Sequence, residues 1–117
     1  MKYEIEEIKD FLTIHIVGNM TAESHLSILD EAISERITEG FHHFVFNIEK
    51  VENIDLDGID IFISCLADVS DHNGGCYIIV EDDKVYNLLE EAGVAKLMKV
   101  YRSSQDFTEE HGITVED

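Results

Sequence analysis

The chain opens on alternation. Tyr3, Ile5 and, in part, Ile8 alternate with acids, and Leu12, Ile14 and Ile16 line one side of a second period-two run. A two-residue period puts apolar side chains on one face of a strand, so two strands are expected, with Lys9-Asp10 as the turn between them. Phe11, Thr13, His15 and Val17 face the other way, and Gly18-Asn19 is expected to break the second strand. The period then changes. Ala22, Leu26, Leu29, Ile33 and Ile37 recur at helical steps, with Thr21 as the expected cap and Gly40 as the expected stop.

Residues 44–48, Phe-Val-Phe-Asn-Ile, form a nearly continuous apolar run, as in a strand buried on both faces. A strand, a helix and a strand in succession make a crossover between parallel neighbours, right-handed by the general rule. The unit repeats. A second helix is expected from about 57 to 71, a turn at Asn73-Gly74-Gly75 and a buried strand over 76–80. A third helix opens at Asp82-Asp83, carries Val85, Leu88, Leu89 and Ala92, and ends at Gly93. A helical turn over 94–98, a short strand at Val100-Tyr101 and a helix over 104–111, capped by Ser103 or Ser104, complete the chain. The order β-β-α-β-α-β-α-(β)-α predicts one α/β domain over residues 1–117. Its mixed β-sheet has four to five strands, antiparallel at its start and parallel afterwards, with about four helices.

Composition restricts what such a domain does. Eight Lys and Arg against 26 Asp and Glu give a formal charge of −18 on a chain of 117 residues. With 44% hydrophobic residues the acidity sits on a foldable body, not on a disordered tail. This charge repels nucleic-acid phosphates and anionic lipid, and no basic patch offsets it, so neither is an expected partner; basic surfaces are attracted. The first twenty residues carry Lys2, Glu4, Glu6, Glu7, Lys9 and Asp10, which leaves no apolar secretion segment. No apolar run approaches the ~20 residues of a membrane span. A cytoplasmic domain without direct membrane insertion is therefore expected, with Cys65 and Cys76 as reduced core thiols.

One segment is richer in information than the rest. Residues 49–71 hold seven acids and one base. On a helical wheel Ile59, Phe62, Ile63, Leu66 and Val69 fall on one side, and Asp57, Asp60, Ser64, Asp68 and Asp71 fall opposite. Ile61 and Cys65 fall at the border. A solvated amphipathic helix is the plainer reading of such a wheel, since repulsion between acids four apart costs only about 0.2–0.5 kcal/mol per pair. The loop before it, Ile54-Asp55-Leu56-Asp57-Gly58-Ile59, leads from a strand into a helix N-terminus, where exposed N–H groups favour negative charge.

That loop resembles the "D-S-S-G" loop of the STAS domain of bacterial anti-sigma-factor antagonists (anti-anti-sigma factors). Leu89-Glu90-Glu91-Ala92-Gly93-Val94-Ala95-Lys96-Leu97 and the following Val100-Tyr101-Arg102-Ser103-Ser104-Gln105-Asp106 are similar to the family's later pattern. The similarity covers about residues 3–110, in the family's element order. It implies a STAS-like single domain and a non-catalytic protein–protein interaction module that regulates transcription by signal transduction. The implied partner is an anti-sigma factor or a serine-kinase-type regulator. In switch-type members the second serine of the loop is phosphorylated; here that position is Asp57 and the first is Leu56. Asp57 therefore resembles a fixed phosphomimetic, carrying one charge against ~1.5 to 2 for phosphoserine. It also reads as a plain N-cap with Asp60 in the first turn. A family acid after the first glycine turn corresponds to Thr21.

The expected docking surface is Asp55, Leu56, Asp57, Gly58, Asp60, Ser64 and Asp68, with Ile61 and Cys65 as border contacts. Other chemistry fits less well. Asp55, Asp57 and Asp60 suggest a cation site or an acid/base pair, but the loop holds no His, Lys or Ser. A receiver domain needs an acidic pair after an earlier strand, and Val17-Gly18-Asn19-Met20 supplies none. The six histidines lack ligand spacing, so no metal and no cofactor are expected. The alternative assignment is a STAS-like subunit of another assembly, a stress-sensing complex or the ATPase of a lipid transporter.

Overall fold

A computed structural model describes residues 1–112. Strands β1 (Lys2–Ile8) and β2 (Phe11–Met20) form a hairpin whose turn holds Lys9 at φ 55°. Helix α1 (Leu26–Thr38), strand β3 (His43–Ile54), helix α2 (Leu56–Ser70) and strand β4 (Gly75–Ile79) follow. Helix α3 (Asp83–Glu91), a single 3₁₀ turn (Val94–Lys96), strand β5 (Lys99–Tyr101) and helix α4 (Ser104–His111) close the described chain. The five strands lie in sequence order, with β1 antiparallel to β2 and every later pair parallel. The expected element order is thus the observed one, including the short fifth strand.

Period two divides the sheet into two faces. Leu12, Ile14 and Ile16 of β2, Phe44, Phe46 and Ile48 of β3, and Cys76 and Ile78 of β4 meet α1, α2 and α3 in the main core. The alternate residues Val45, Ile79 and Tyr101 meet Phe107 of α4, and Tyr101 also hydrogen-bonds His111, with Phe11 and Tyr77 packed at the margin. Phe11 stands edge-on to Phe107 at 5.4 Å, a geometry that aromatic rings favour. Three helices cover one face and eight residues of helix cover part of the other.

Three boundaries differ from expectation, the first being β3, which continues past residues 44–48 to Ile54. Gly18 does not end β2: at φ 101° it sits between two shifts of register against β3, and the strand continues to Met20. Helix α1 starts at Leu26, four residues beyond Ala22. Thr21 does not cap it, because Thr21 and Ser24 close their own turn, their hydroxyl oxygens 3.0 Å apart. His25 in the left-handed region then leads into the helix without a side-chain cap.

The extended β2 and β3 run side by side to Met20 and Ile54 and deliver α2 against the end of β2. Gly58 makes that approach feasible. A Cβ there would lie 2.2 Å from the Met20 carbonyl oxygen and 2.8 Å from Ile54 Cγ1. The first of these atoms is backbone and has little room to yield. Gly58→Ala should therefore destabilise the fold by about 1–3 kcal/mol through overpacking, read as a lower denaturant midpoint with unchanged slope.

Candidate functional site

The site is built around a carboxylate that has no free oxygen. Asp55, at φ −123° and ψ −171°, is the N-cap of α2. Its Oδ1 accepts from the backbone N–H of Asp57 at 3.0 Å and of Gly58 at 3.1 Å. Its Oδ2 accepts from the N–H of Ala22 at 2.9 Å. One side chain thus caps the helix and ties it to the β2–α1 loop, which a backbone bond from the Asp55 N–H to Met20 reinforces. The Ala22 hydrogen bond, with those from Gly58 and Asp57, holds the Asp55 carboxyl below the usual aspartate range despite partial burial.

Asp57 consequently lies inside the first turn of α2 and is not the N-cap, because Asp55 fills that role. Its side chain is exposed and has no hydrogen-bond partner among the described residues. Asp60, Ser64 and Asp68 are exposed on the same helix, and Leu56 beside them is 71% exposed. Asp71 caps the far end, where the helix dipole favours a base, and the last turn has no basic residue. Acids at both ends and along the outer face form one negative strip.

Two expected border contacts are absent from that strip. Ile61 and Cys65 are 7% and 2% exposed and belong to the main core. The helix packs against α1 as well as the sheet, so its buried arc is wider than the wheel of one isolated helix suggests. Gly58 is likewise buried beneath the helix start and offers no surface. Cys65 Sγ lies 3.5 Å from Cys76 Sγ, and this neighbouring thiol together with burial pushes the Cys65 thiol far upward, as for an inert core residue.

Sequence reasoning missed a second element. Thr21, Ser24, His25 and Ile28 line an open cleft of about 490 Å³ between the β2–α1 loop and the start of the chain. Ile28 is 58% exposed. The signal was present, since Ile28 stands outside the apolar stripe of its helix. Among the described residues no three of His, Cys, Asp and Glu converge as they would around a metal ion. No helix among those residues is long and apolar enough to cross a membrane.

A family model for the STAS domain matches residues 2–107. The chain belongs to the STAS domain family. Solved structures place this STAS domain among related folds at low identity. A Thermotoga maritima protein assigned as an anti-sigma factor antagonist superposes with a TM-score of 0.84 at 16% identity, over 92% of each chain. An anti-sigma factor antagonist from Mycobacterium paratuberculosis gives 0.80 at 14%, over 90% of this chain and 88% of that one. The Bacillus cell fate determinant SpoIIAA in its phosphorylated form gives 0.72 at 13%, over 93% and 98%. No curated protein matches the sequence.

The Asp55 bridge in this STAS domain has a definite pH dependence. Because its carboxyl is depressed in the folded state, its contribution is complete above the unfolded value of 3.8 and is lost as pH falls through the lower folded value. Asp55→Ala should lose about 2 kcal/mol near neutral pH, from one cap and one further charge-assisted bond. The deficit against the parent protein should shrink below pH 3.8 in urea denaturation.

Proposed function

We propose that this STAS domain is a non-catalytic interaction module of the anti-sigma-factor-antagonist type, and that Asp57 is its fixed negative switch position. One observation carries the reading: Asp57 presents a solvent-facing carboxylate, without a partner among the described residues, in the first turn of α2, and neither Leu56 nor Asp57 offers a hydroxyl for phosphorylation. In switch-type relatives this position is a serine whose phosphorylation alters partner choice. Here the charge is built in. Asp57, Asp60, Ser64 and Asp68 then form the docking strip, with Leu56 as an apolar contact and Asp55 as the residue that positions them.

The chemistry of the strip defines its partner. Exposed carboxylates with no basic residue among them call for a basic protein surface, such as that of an anti-sigma factor or a serine-kinase-type regulator in a bacterial cytoplasm. Such contacts raise association rates, and their contribution falls with salt as the screening length shortens. Acids kept at the C-terminal end of α2, against the helix dipole, support a role in binding over one in stability.

The test is Asp57→Ser. The variant's affinity for the anti-sigma-type partner should change about fivefold, equivalent to ~1 kcal/mol for one exposed charge, and the variant should become a phosphate acceptor for the partner kinase. Phosphorylation of the variant should restore the parent affinity. Unchanged affinity together with no phosphate uptake, measured by calorimetry and mass spectrometry, would sink the proposal. Capture of a transporter ATPase in place of sigma regulators would instead favour the subunit assignment.

A further inference from the structure

Two sulfurs meet beneath the helix that carries the acidic strip. Cys65 of α2 and Cys76 of β4 are 2% and 3% exposed, and their Sγ atoms lie 3.5 Å apart. They are the two cysteines of the whole chain, and both are free thiols in the main apolar core. A single buried cysteine packs as a small hydrophobe. Two in contact share a reaction that neither has alone, the formation of a disulfide.

The two partners are held unequally. Cys76 is fixed on the strand ladder, in register with Phe44 of β3. Among the described residues α2 has no backbone hydrogen bond to β4 and rests on it through side chains. A disulfide needs sulfurs about 2.05 Å apart, so closure requires an approach of about 1.5 Å. Packed helices shift by about 1–2 Å between alternative arrangements, which covers that distance. The shift would move the turn of α2 that bears Ser64 and Asp68, both exposed on either side of Cys65. With the cysteines eleven positions apart, the link closes one small loop over the end of α2 and the turn that follows.

Burial sets the reactivity. Thiolate is the reactive form, and the raised Cys65 thiol supplies little of it, so the pair answers only to sustained oxidant. A small uncharged oxidant suits the place, because a charged one would be costly to bring into an apolar core. We infer that Cys65 and Cys76 are a reversible redox latch, closed to an intramolecular disulfide by a small hydroperoxide. One thiol takes the terminal peroxide oxygen and becomes a sulfenic acid. The O–O bond breaks, and the alcohol or water that leaves carries the thiol proton. The neighbouring sulfur then attacks the sulfenic sulfur, and its own proton departs with the hydroxyl as water. The peroxide gains the two electrons that the sulfurs lose. A dithiol reopens the link by exchange.

The test treats reduced, intact protein with excess hydrogen peroxide under native conditions, then unfolds, alkylates and digests it without reduction. A peptide joining Cys65 to Cys76 is expected, with loss of both alkylatable thiols and their full recovery after dithiothreitol. The cross-linked protein should unfold at a higher denaturant concentration than the reduced form, since the closed loop restricts the unfolded chain. Amide shifts of Ser64 and Asp68 should move on oxidation and return on reduction. Cys76→Ala should form no cross-link and should instead hold a sulfenic acid at Cys65 that dimedone traps. None of these readouts involves Asp57 or a partner, so their failure leaves the docking strip untouched. Disulfide-linked dimers, sulfinic acid without a cross-link, or a cross-link formed only in urea-unfolded protein would each overturn the latch. Persistence of both thiols in the native protein would do the same.

Discussion

Everything at the negative end of this molecule depends on the three hydrogen bonds of one carboxylate. Asp55 accepts from two N–H groups of α2 and from Ala22, 33 residues earlier in the chain. The first pair decides where α2 begins, and the third decides how that beginning sits against the β2–α1 loop. A helix dipole alone would favour any acid near its N-terminus and would not fix a direction. The bridge adds the direction. Because Asp55 takes the cap, Asp57 is released from structural duty and faces solvent. The close approach at Gly58 is the steric counterpart, since the same helix start must lie flat on the Met20 carbonyl for the bridge to close.

Cohesion and recognition are therefore carried by adjacent residues of one loop. Asp55 and Gly58 hold the loop in place, and Leu56 and Asp57 between them are exposed. The outer face of α2 is less stable than it would be with alternating charges, by a few tenths of a kcal/mol for each unfavourable acid. The buried face offsets this: Ile59, Ile61, Phe62, Cys65 and Val69 all enter the main core. A helix secured so well from beneath tolerates an outer face shaped by other demands.

The order and pairing of elements were legible in the sequence because they rest on local periods. Alternation around Ile14 and the apolar run at 44–48 carry their meaning within a few residues. What escaped notice was set by distant contacts. Thr21 has the chemistry of a cap, yet its hydroxyl meets Ser24 while Ala22 is bound by Asp55. Gly18 has the chemistry of a strand end, yet its positive φ serves a shift of register that allows β2 to continue. The helical wheel found the acidic strip of α2 correctly but placed Ile61 and Cys65 at its edge. Both lie in the main core, Cys65 against Cys76 of β4, and a wheel drawn on one helix holds no knowledge of its neighbouring elements.

The outer edge of the sheet has a consequence for how copies of the chain coexist. Among the described residues strand β1 has a neighbour on one side only, so its other side is a row of backbone groups open to pairing. Glu4, Glu6 and Glu7 stand along that seven-residue strand. Two such edges brought together would set carboxylate beside carboxylate, where like charges oppose pairing. The acids of β1 thus act as a guard against aggregation: they keep an exposed strand from adding a sixth to the sheet out of its own kind.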